Sequence, residues 1–570
     1  MKNTAIQFTH FGFKYNAQAR PTLHDIEFAV KEGEKVLVVG PSGSGKSTLG
    51  HCINGLIPFS YPGEVTGMLL VDGRDTKEES LFSLSKTVGT VLQDSDGQFI
   101  GLTVGEDIAF SLENDCVPQG KMKEFTREAA AMVGIETHLA HAPYELSGGQ
   151  KQRVGLAGVI VDNVRILLFD EPLANLDPAT GCGAIDLIDR VMRKTGTSVL
   201  IIEHRLEDVL YRHVDRVVLI GDGRIVADLP PNELLSAGLL GEYGIREPLY
   251  LTALKYASVE IIAEMSPESV DTMRINDTDI DKVKSWFEIP APPPRVSSEI
   301  PFLEVHNVNF SYDEGRKALS GISFTVYKGE MLAVAGTNGA GKSTLAKVIC
   351  GFETPDSGRL LLSGKDLKNE SIAARGEKIG FVMQNPNQMI SKPMIFDEVA
   401  LGLRTKGLSE SEVKRRVDET LEICGLYPFR SWPVSALSFG QKKRVTVASI
   451  LALRPEIVIL DEPTAGQDFR HYTEIMEFLL QLNKTGVTIM MITHDMHLML
   501  EYAKRALIFS GGRLLADSTP AKILTDPELV KRASLRETSL YSLAKRCGIG
   551  DAAGFVQHFI DYDRQVRNIE

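Results

Sequence analysis

The chain is short of cysteine, of long apolar runs and of long basic runs, and each shortage removes a class of protein. Its six cysteines (Cys52, Cys116, Cys182, Cys350, Cys424, Cys547) are scattered over 570 residues with no C-x-x-C pair. Neither a zinc ribbon nor an iron–sulfur pattern is therefore present, and reduced cytosolic thiols are expected. No apolar stretch approaches the length that spans a bilayer. Met1-Lys2-Asn3-Thr4 leads into a strand-like segment rather than the apolar core of a signal peptide, so a role at a membrane needs other chains to supply the crossing. A formal net charge of −13, with no long Lys/Arg run, argues against gripping nucleic acid by counterion release.

What the chain has is repetition. At this length a single hydrophobic core is not expected, and two stretches match G-x-x-x-x-G-K-[ST]. They are Gly40-Pro41-Ser42-Gly43-Ser44-Gly45-Lys46-Ser47-Thr48 and Gly336-Thr337-Asn338-Gly339-Ala340-Gly341-Lys342-Ser343-Thr344. Glycines let such a loop turn its N–H groups inward toward phosphate oxygens. The lysine neutralises β/γ charge, and the following hydroxyl can hold Mg²⁺. The apolar runs Lys35–Val39 and Met331–Ala335 read as strands entering these loops, with helices opening at Thr48-Leu49 and Thr344-Leu345. The register continues downstream: Gln93 recurs as Gln384, Ser147 as Ser438, Asp170 as Asp461 and His204 as His494, a period of about 290 residues. Arg246-Glu247-Pro248-Leu249-Tyr250 likewise returns as Arg536-Glu537-Thr538-Ser539-Leu540-Tyr541. So long a period is a duplicated domain, not a solenoid.

Between the copies, residues 258–300 are acid-rich and end in Pro290-Ala291-Pro292-Pro293-Pro294, which predicts an extended spacer. Its Trp286-Phe287 pair reads as an aromatic anchor for an otherwise loose linker. The expected organisation is domain 1 over 1–257, the spacer over 258–300, domain 2 over 301–548 and a tail over 549–570. In the tail, Phe555, Phe559 and Ile560 have helical spacing. Within each copy, short Val/Ile/Leu runs such as Ser198–Ile202 and Ile457–Leu460 alternate with amphipathic segments such as Ala179–Lys194 and Arg470–Leu482. Continuous hydrophobicity implies strands covered on both faces, hence an α/β fold with a largely parallel sheet.

The runs Ile166–Glu171 and Ile457–Glu462 read as buried strands that each end in two carboxylates, Asp170-Glu171 and Asp461-Glu462. Adjacent side chains diverge along a strand, so one acid can serve a metal's shell while the other faces an attacking water. Asp170 and Asp461 are assigned to Mg²⁺, Glu171 and Glu462 to water. Leu146-Ser147-Gly148-Gly149-Gln150 and Leu437-Ser438-Phe439-Gly440-Gln441 precede the helical segments Lys151–Ile160 and Lys442–Leu453. Small residues there expose N–H groups suited to a γ-phosphate; Ser147 and Ser438 could equally be simple N-caps.

These pentapeptides, set before an Asp-Glu strand and far downstream of a phosphate loop, resemble the signature of ATP-binding cassette (ABC) ATPases, twice over. The resemblance implies two P-loop domains, each a RecA-like core with an antiparallel β edge and a helical subdomain bearing the signature. It implies that the two domains close head to tail as an intramolecular dimer. The first ATP site would then combine Lys46, Ser47, Gln93, Asp170, Glu171 and His204 with Ser438 and Gly440. The second would combine Lys342, Ser343, Gln384, Asp461, Glu462 and His494 with Ser147 and Gly149. Ser47, Gln93, Asp170, Ser343, Gln384 and Asp461 are implied as Mg²⁺ contacts, and His204 and His494 as contacts of the γ-phosphate. On pattern alone Tyr15 and Tyr312 are as well read as half-buried strand tyrosines; the resemblance implies stacking on adenine. Two departures stand out: Phe439 replaces the usual first signature glycine, and Glu203-His204-Arg205 stands where Thr-His-Asp is commoner.

After Gln93 come Asp94-Ser95-Asp96-Gly97-Gln98-Phe99 and Glu106-Asp107-Ile108-Ala109-Phe110, and after Gln384 come Asn385-Pro386-Asn387-Gln388 and Asp397-Glu398-Val399-Ala400. These resemble the ATPase subunits of energy-coupling factor (ECF) transporters, importers of vitamins and transition-metal ions. The resemblance implies a transmembrane scaffold subunit and a membrane-embedded substrate-binding subunit as partners, a place on the cytoplasmic face of the membrane, and no nucleic acid. Another class of ABC transporter ATPase, or a soluble tandem ABC protein of translation or DNA repair, shares the catalytic motifs. The substrate is not written in this chain.

Overall fold

Runs of Val, Ile and Leu without polar alternation become strands buried on both faces, and in each half of the chain they assemble into a central six-stranded sheet. The structure is a computed structural model, and it describes residues 3–16, 18–92, 96–174, 176–290, 300–312, 315–464 and 467–567. The chain divides into two units, Met1–Val283 with Asp468–Arg470, and Lys284–Gln467 with His471–Glu570.

In the first unit the central sheet runs in the order Arg224–Leu229, Arg216–Gly221, Lys35–Val39, Ser198–Ile202, Ile166–Asp170, Val88–Val91. Five of these strands are parallel; Arg224–Leu229 pairs antiparallel with its neighbour. In the second unit the order is Arg513–Ser518, Arg505–Ser510, Met331–Gly336, Thr488–Ile492, Ile457–Asp461, Ile379–Val382, with the same single antiparallel edge. Each unit adds a four-stranded antiparallel sheet, led by Thr4–Tyr15 in one and Pro301–Tyr312 in the other. The first core forms where Phe8, Phe13 and Ile26 of the antiparallel sheet meet Leu49 and Ile53 of the helix Lys46–Ile53 and Val36, Leu168 and Leu200 of the central sheet. A matching core contains Phe302, Val308, Leu345, Ile349, Leu332 and Ile459. The expected α/β architecture with an antiparallel β edge is the architecture of both halves.

A group of packed helices is inserted in the chain between two neighbouring strands of each central sheet. In the first unit they are Val104–Asn114, Gln119–Val133 and Gly148–Ile160; in the second, Ile395–Thr405, Glu410–Ile423 and Phe439–Leu451. Their ends are locally encoded. Thr103 and Glu106 form a reciprocal capping box at the first, and Asp177 caps Pro178–Thr195 by accepting the Thr180 N–H at 2.9 Å. The helices Leu249–Tyr256 and Ser539–Arg546 carry the repeat to the end of each copy.

The stretch expected as an extended spacer contains a helix, Asp277–Phe287, and buries Val259, Met265, Met273, Val283 and Trp286. Trp286 packs edge-on against Phe555, His558 and Tyr562 of the helix Ala552–Val566, with ring centroids 5.7, 4.6 and 5.4 Å away. Phe555 and Phe559, expected only to pack, are buried on that helix. An acid-rich composition concealed an apolar face, because acids such as Glu260, Glu264, Asp271, Asp277 and Asp281 occupy exposed positions between the buried ones. Residues 291–299, which hold most of the proline run, lie outside the described residues.

Candidate functional site

The two phosphate-loop stretches form the same structure. Each follows a central buried strand and runs into a helix, Lys46–Ile53 or Lys342–Cys350, whose first turn carries no side-chain cap. Uncapped N–H groups at a helix start concentrate partial positive charge and await an acceptor. Gly45 (φ 102°) and Gly341 (φ 94°) take the left-handed region, and side chains there would meet Leu23 and the Ala318 carbonyl. Gly43 and Gly339 are also left-handed. Lys46 and Lys342 are buried, and their ammonium groups donate back across the loop: Lys46 to the carbonyls of Gly40 (2.8 Å) and Pro41 (2.9 Å), Lys342 to those of Gly336 and Thr337 (both 2.9 Å). Burial lowers the Lys46 ammonium to about 8, against the pull of Glu171 and Asp170. A glycine-turned loop that opens onto a helix start without a side-chain cap, with a buried ammonium beside it, is an anion cradle.

Beside each cradle stand two acids. Ser47 Oγ lies 3.5 Å from Asp170 Oδ1. Burial first, and then repulsion from Glu171, lift the Asp170 carboxyl to about 6, while the Ser47 hydroxyl works the other way. Asp461 is raised for the same leading reason, with Ser343 opposing. A hydroxyl and a carboxylate whose ionised form lacks compensating charge fit a hard divalent cation, which takes oxygen ligands and keeps waters or phosphate oxygens for the rest.

The acids diverge differently from the expectation. The strands end at Asp170 and Asp461, and the next residues, Glu171 (φ 50°) and Glu462 (φ 49°), turn left-handed. Their N–H groups are held by the carbonyls of Ile202 and Ile492, each at 2.9 Å. A turn that non-glycine residues rarely adopt, and not strand alternation alone, aims the glutamates. Each then meets a histidine from the next strand's end: His204 Nε2 is 2.8 Å from Glu171 Oε1, and His494 Nε2 is 3.0 Å from Glu462 Oε1. Glu203, buried before His204, accepts the N–H groups of Leu173 (2.9 Å), His204 (2.7 Å) and Arg205 (3.2 Å). At Thr493 the second unit has a hydroxyl accepting the Asp495 N–H at 2.9 Å.

Tyr15 and Tyr312 end the leading antiparallel strands, their hydroxyls 3.1 and 3.2 Å from the Thr48 and Thr344 hydroxyls. Each ring is therefore fixed to its own loop. Ser147 and Ser438 are exposed caps of the signature helices: Gln150 and Gln441 donate N–H to their hydroxyls at 3.4 and 3.3 Å, and accept from their N–H groups at 2.9 and 3.0 Å. The simple-cap reading describes that geometry, and the helices begin inside the pentapeptides, at Gly148 and Phe439. Side chains at Gly149 and Gly440 would collide with Thr180 and Gln467. Gln384 is exposed at the end of its strand; Gln93 lies outside the described residues.

One residue escaped the sequence reading. Lys443, buried in the second signature helix, donates its ammonium to the carbonyls of Gln384 (2.7 Å), Glu462 (3.0 Å), Met383 (3.2 Å) and Asp461 (3.5 Å). Burial lowers it to about 8 against the pull of Glu462. It joins the signature helix to both strand ends; in the first unit, among the described residues, Gln152 makes one side-chain bond, to the Pro172 carbonyl at 2.5 Å. A lysine inside an otherwise apolar helix face was the available signal.

Fold and site together define a protein with two P-loop nucleotide cassettes. The family model described as ABC transporter matches residues 23–174 and 319–465, and one described as ATP-binding cassette cobalt transporter matches residues 237–310. A Clostridium perfringens (strain 13 / Type A) protein, provisionally named an ABC transporter ATP-binding protein, is 58% identical over 567 residues and covers 100% of both chains. One from Enterococcus faecalis (strain ATCC 700802 / V583) is 55% identical, again over 100% of each. A solved structure titled as cbiO1 from Clostridium perfringens, part of the ABC transporter complex cbiONQ, is 35% identical, covering 42% of this chain and 96% of its own, with a TM-score of 0.39. The chain belongs to the ABC transporter family: it is an ATP-binding subunit and an ATPase. Among the described residues no helix is long and apolar enough to cross a membrane.

Proposed function

We propose that the chain is the motor subunit of an importer of the energy-coupling factor type, driving uptake of a transition-metal ion such as cobalt, or of a vitamin. The observation that carries the importer reading is the match of residues 237–310 to the cobalt-transporter model. Exposed apolar residues support a membrane partner. Ile100 and Leu102 are 65% and 82% exposed just beyond the Gln93 loop, on a turn held by Asp107, whose carboxylate accepts the N–H groups of Ile100 (2.8 Å) and Gly101 (3.1 Å). At the corresponding turn of the second unit, Glu398 accepts from Ser391 (2.8 Å) and Lys392 (2.7 Å). We assign these turns to a transmembrane scaffold subunit, which carries the membrane-embedded substrate-binding subunit, at the cytoplasmic face. The working divisions are 1–257 and 301–548 for the cassettes, joined by 258–300 and followed by 549–570.

In the mechanism, Lys46 and Lys342 leave their loop carbonyls for β- and γ-phosphate oxygens, and the loop N–H groups hold the rest. Ser47, Asp170 and Gln93, and in the second site Ser343, Asp461 and Gln384, would hold Mg²⁺, which when bound offsets phosphate charge. Glu171 and Glu462 orient the attacking water and take its proton, while His204 and His494 fix the glutamates and reach the γ-phosphate. Ser438 and Gly440 complete the first site, and Ser147 and Gly149 the second, so that closure on two ATP molecules supplies the stroke.

Affinity purification from detergent-solubilised membranes tests this reading. Recovery of a multi-span scaffold with a small membrane-embedded binding subunit supports it, as does ⁵⁷Co²⁺ or vitamin uptake that disappears with Glu171→Gln. Co-purification with ribosomes or DNA, or with a different class of permease, refutes it.

A further inference from the structure

The two copies differ behind the signature helix. In the second, the Arg444 guanidinium donates to the Glu474 carboxylate, tying the signature helix Phe439–Leu451 to the helix Phe469–Lys484. Arg444 and Glu474 correspond, at the same repeat offset as Ser438 and Ser147, to Arg153 and Gly183. The first copy has therefore kept the cation and lost its carboxylate. Among the described residues Arg153 donates only to the Val133 carbonyl, at 3.2 Å, and its side chain is exposed where Arg444 is largely covered.

A cleft of about 270 Å³ occupies the vacated space, lined by Arg153 and Gly183 with Leu156, Phe169, Leu187 and Ile188. It lies apart from the phosphate loop of its own unit, since Phe169 faces it while Asp170, the next residue of the strand, lies beside Ser47, and it reaches Gly149 of the signature. The lining combines an apolar floor of Leu156, Phe169, Leu187 and Ile188 with the Gln152 amide, the Thr180 hydroxyl and the Arg153 guanidinium, which among the described residues is its single cation. That combination selects a singly charged anion with an apolar body. A guanidinium pairs with a carboxylate through two parallel N–H···O bonds. The volume is below the roughly 300 Å³ at which drug-sized pockets begin, so the ligand is small.

We propose that this cleft binds a small carboxylic acid with an apolar tail, its carboxylate taking on Arg153 the place that Glu474 holds on Arg444. Its tail rests on Leu156, Phe169 and Ile188. Bound there, the ligand ties the helix Gly148–Ile160 to Pro178–Thr195, so the first cassette acquires from solution the brace that the second carries in its own sequence.

Isovalerate is the probe, with neutral isovaleramide and inorganic phosphate as controls, titrated into the full chain and followed by thermal shift and ligand-observed NMR. Saturable binding of isovalerate alone is expected. Arg153→Leu and, independently, Gly183→Glu should each weaken it by about tenfold or more, the scale of one lost charge-assisted contact. Position 183 has open space for a side chain, so Gly183→Glu should also raise the melting temperature without ligand, by restoring the pair within the chain. Equal binding of the amide, preference for phosphate, no saturable binding of isovalerate, or binding that survives both substitutions overturns the proposal.

Discussion

His204 Nε2 lies 2.8 Å from Glu171 Oε1, and the same pair recurs in the second unit as His494 and Glu462 at 3.0 Å. The histidine ends one parallel strand and the glutamate follows the next, so the sheet's own register joins them. Glu171→Gln and Glu462→Gln preserve size and lose only the proton acceptor. Each should cut steady-state ATP turnover to about half or less, and together by about a hundredfold or more, with nucleotide binding retained. Either substitution leaving turnover unchanged would contradict two working sites.

Lys443 provides a test of asymmetry between the halves. Lys443→Met keeps the chain's length but leaves several carbonyls without a donor, at a cost of about 2–4 kcal/mol in urea unfolding of the second unit. Gln152→Met removes a single bond in the first unit and should cost about 1 kcal/mol. Equal effects would mean that Lys443 braces nothing the glutamine does not.

The parts of the site that share one stretch of chain were legible beforehand. Both phosphate loops, the Asp-Glu strand ends and the signature caps are defined by residues a few positions apart, and the strand Lys35–Val39 was expected with the bounds it has. What escaped depends on distant partners. The left-handed turn at Glu171 is fixed by the Ile202 carbonyl, and Lys443 finds acceptors near residues 384 and 462. The docking of Trp286 onto Phe555 joins segments some 270 residues apart in sequence, which no local pattern encodes.

That docking has a thermodynamic consequence. Trp286 is 3% exposed, and Trp286→Ala should destabilise the second unit by about 3–5 kcal/mol, as removal of a buried aromatic generally does. A change below 1 kcal/mol in chemical denaturation would show the segment to be a loose tether.

The neighbouring His558 adds a pH signature. Burial among Trp286, Phe287 and Tyr562 lowers its pKa, with Asp561 partly opposing. A histidine depressed in the fold contributes stability above its unfolded value near 6.5 and loses it as pH falls through the folded one. The Asp561 carboxyl, raised mainly by burial, acts in the opposite sense at lower pH. Comparing melting temperatures of the parent and His558→Leu across pH 7.5 to 5.5 isolates the histidine: the parent should lose more stability than the variant. Parallel curves would remove His558 from the account.

The exposed turn beyond the Gln93 loop separates partner binding from chemistry. Leu102 is 82% exposed, so Leu102→Asp sacrifices no core packing and should shift stability by less than about 0.5 kcal/mol. ATP turnover of the isolated chain should be unchanged, because among the described residues the hydrogen bonds that hold the turn run to Asp107 and not to the cradle. Against a membrane scaffold the outcome differs: a carboxylate forced into an apolar contact is desolvated without a partner, and association should weaken by about a hundredfold or more. Asp107→Ala attacks the same surface from beneath by releasing the N–H groups of Ile100 and Gly101. Co-purification of the scaffold should fall for both variants while both remain folded ATPases. Retention of the scaffold by Leu102→Asp would move the docking surface elsewhere on the chain.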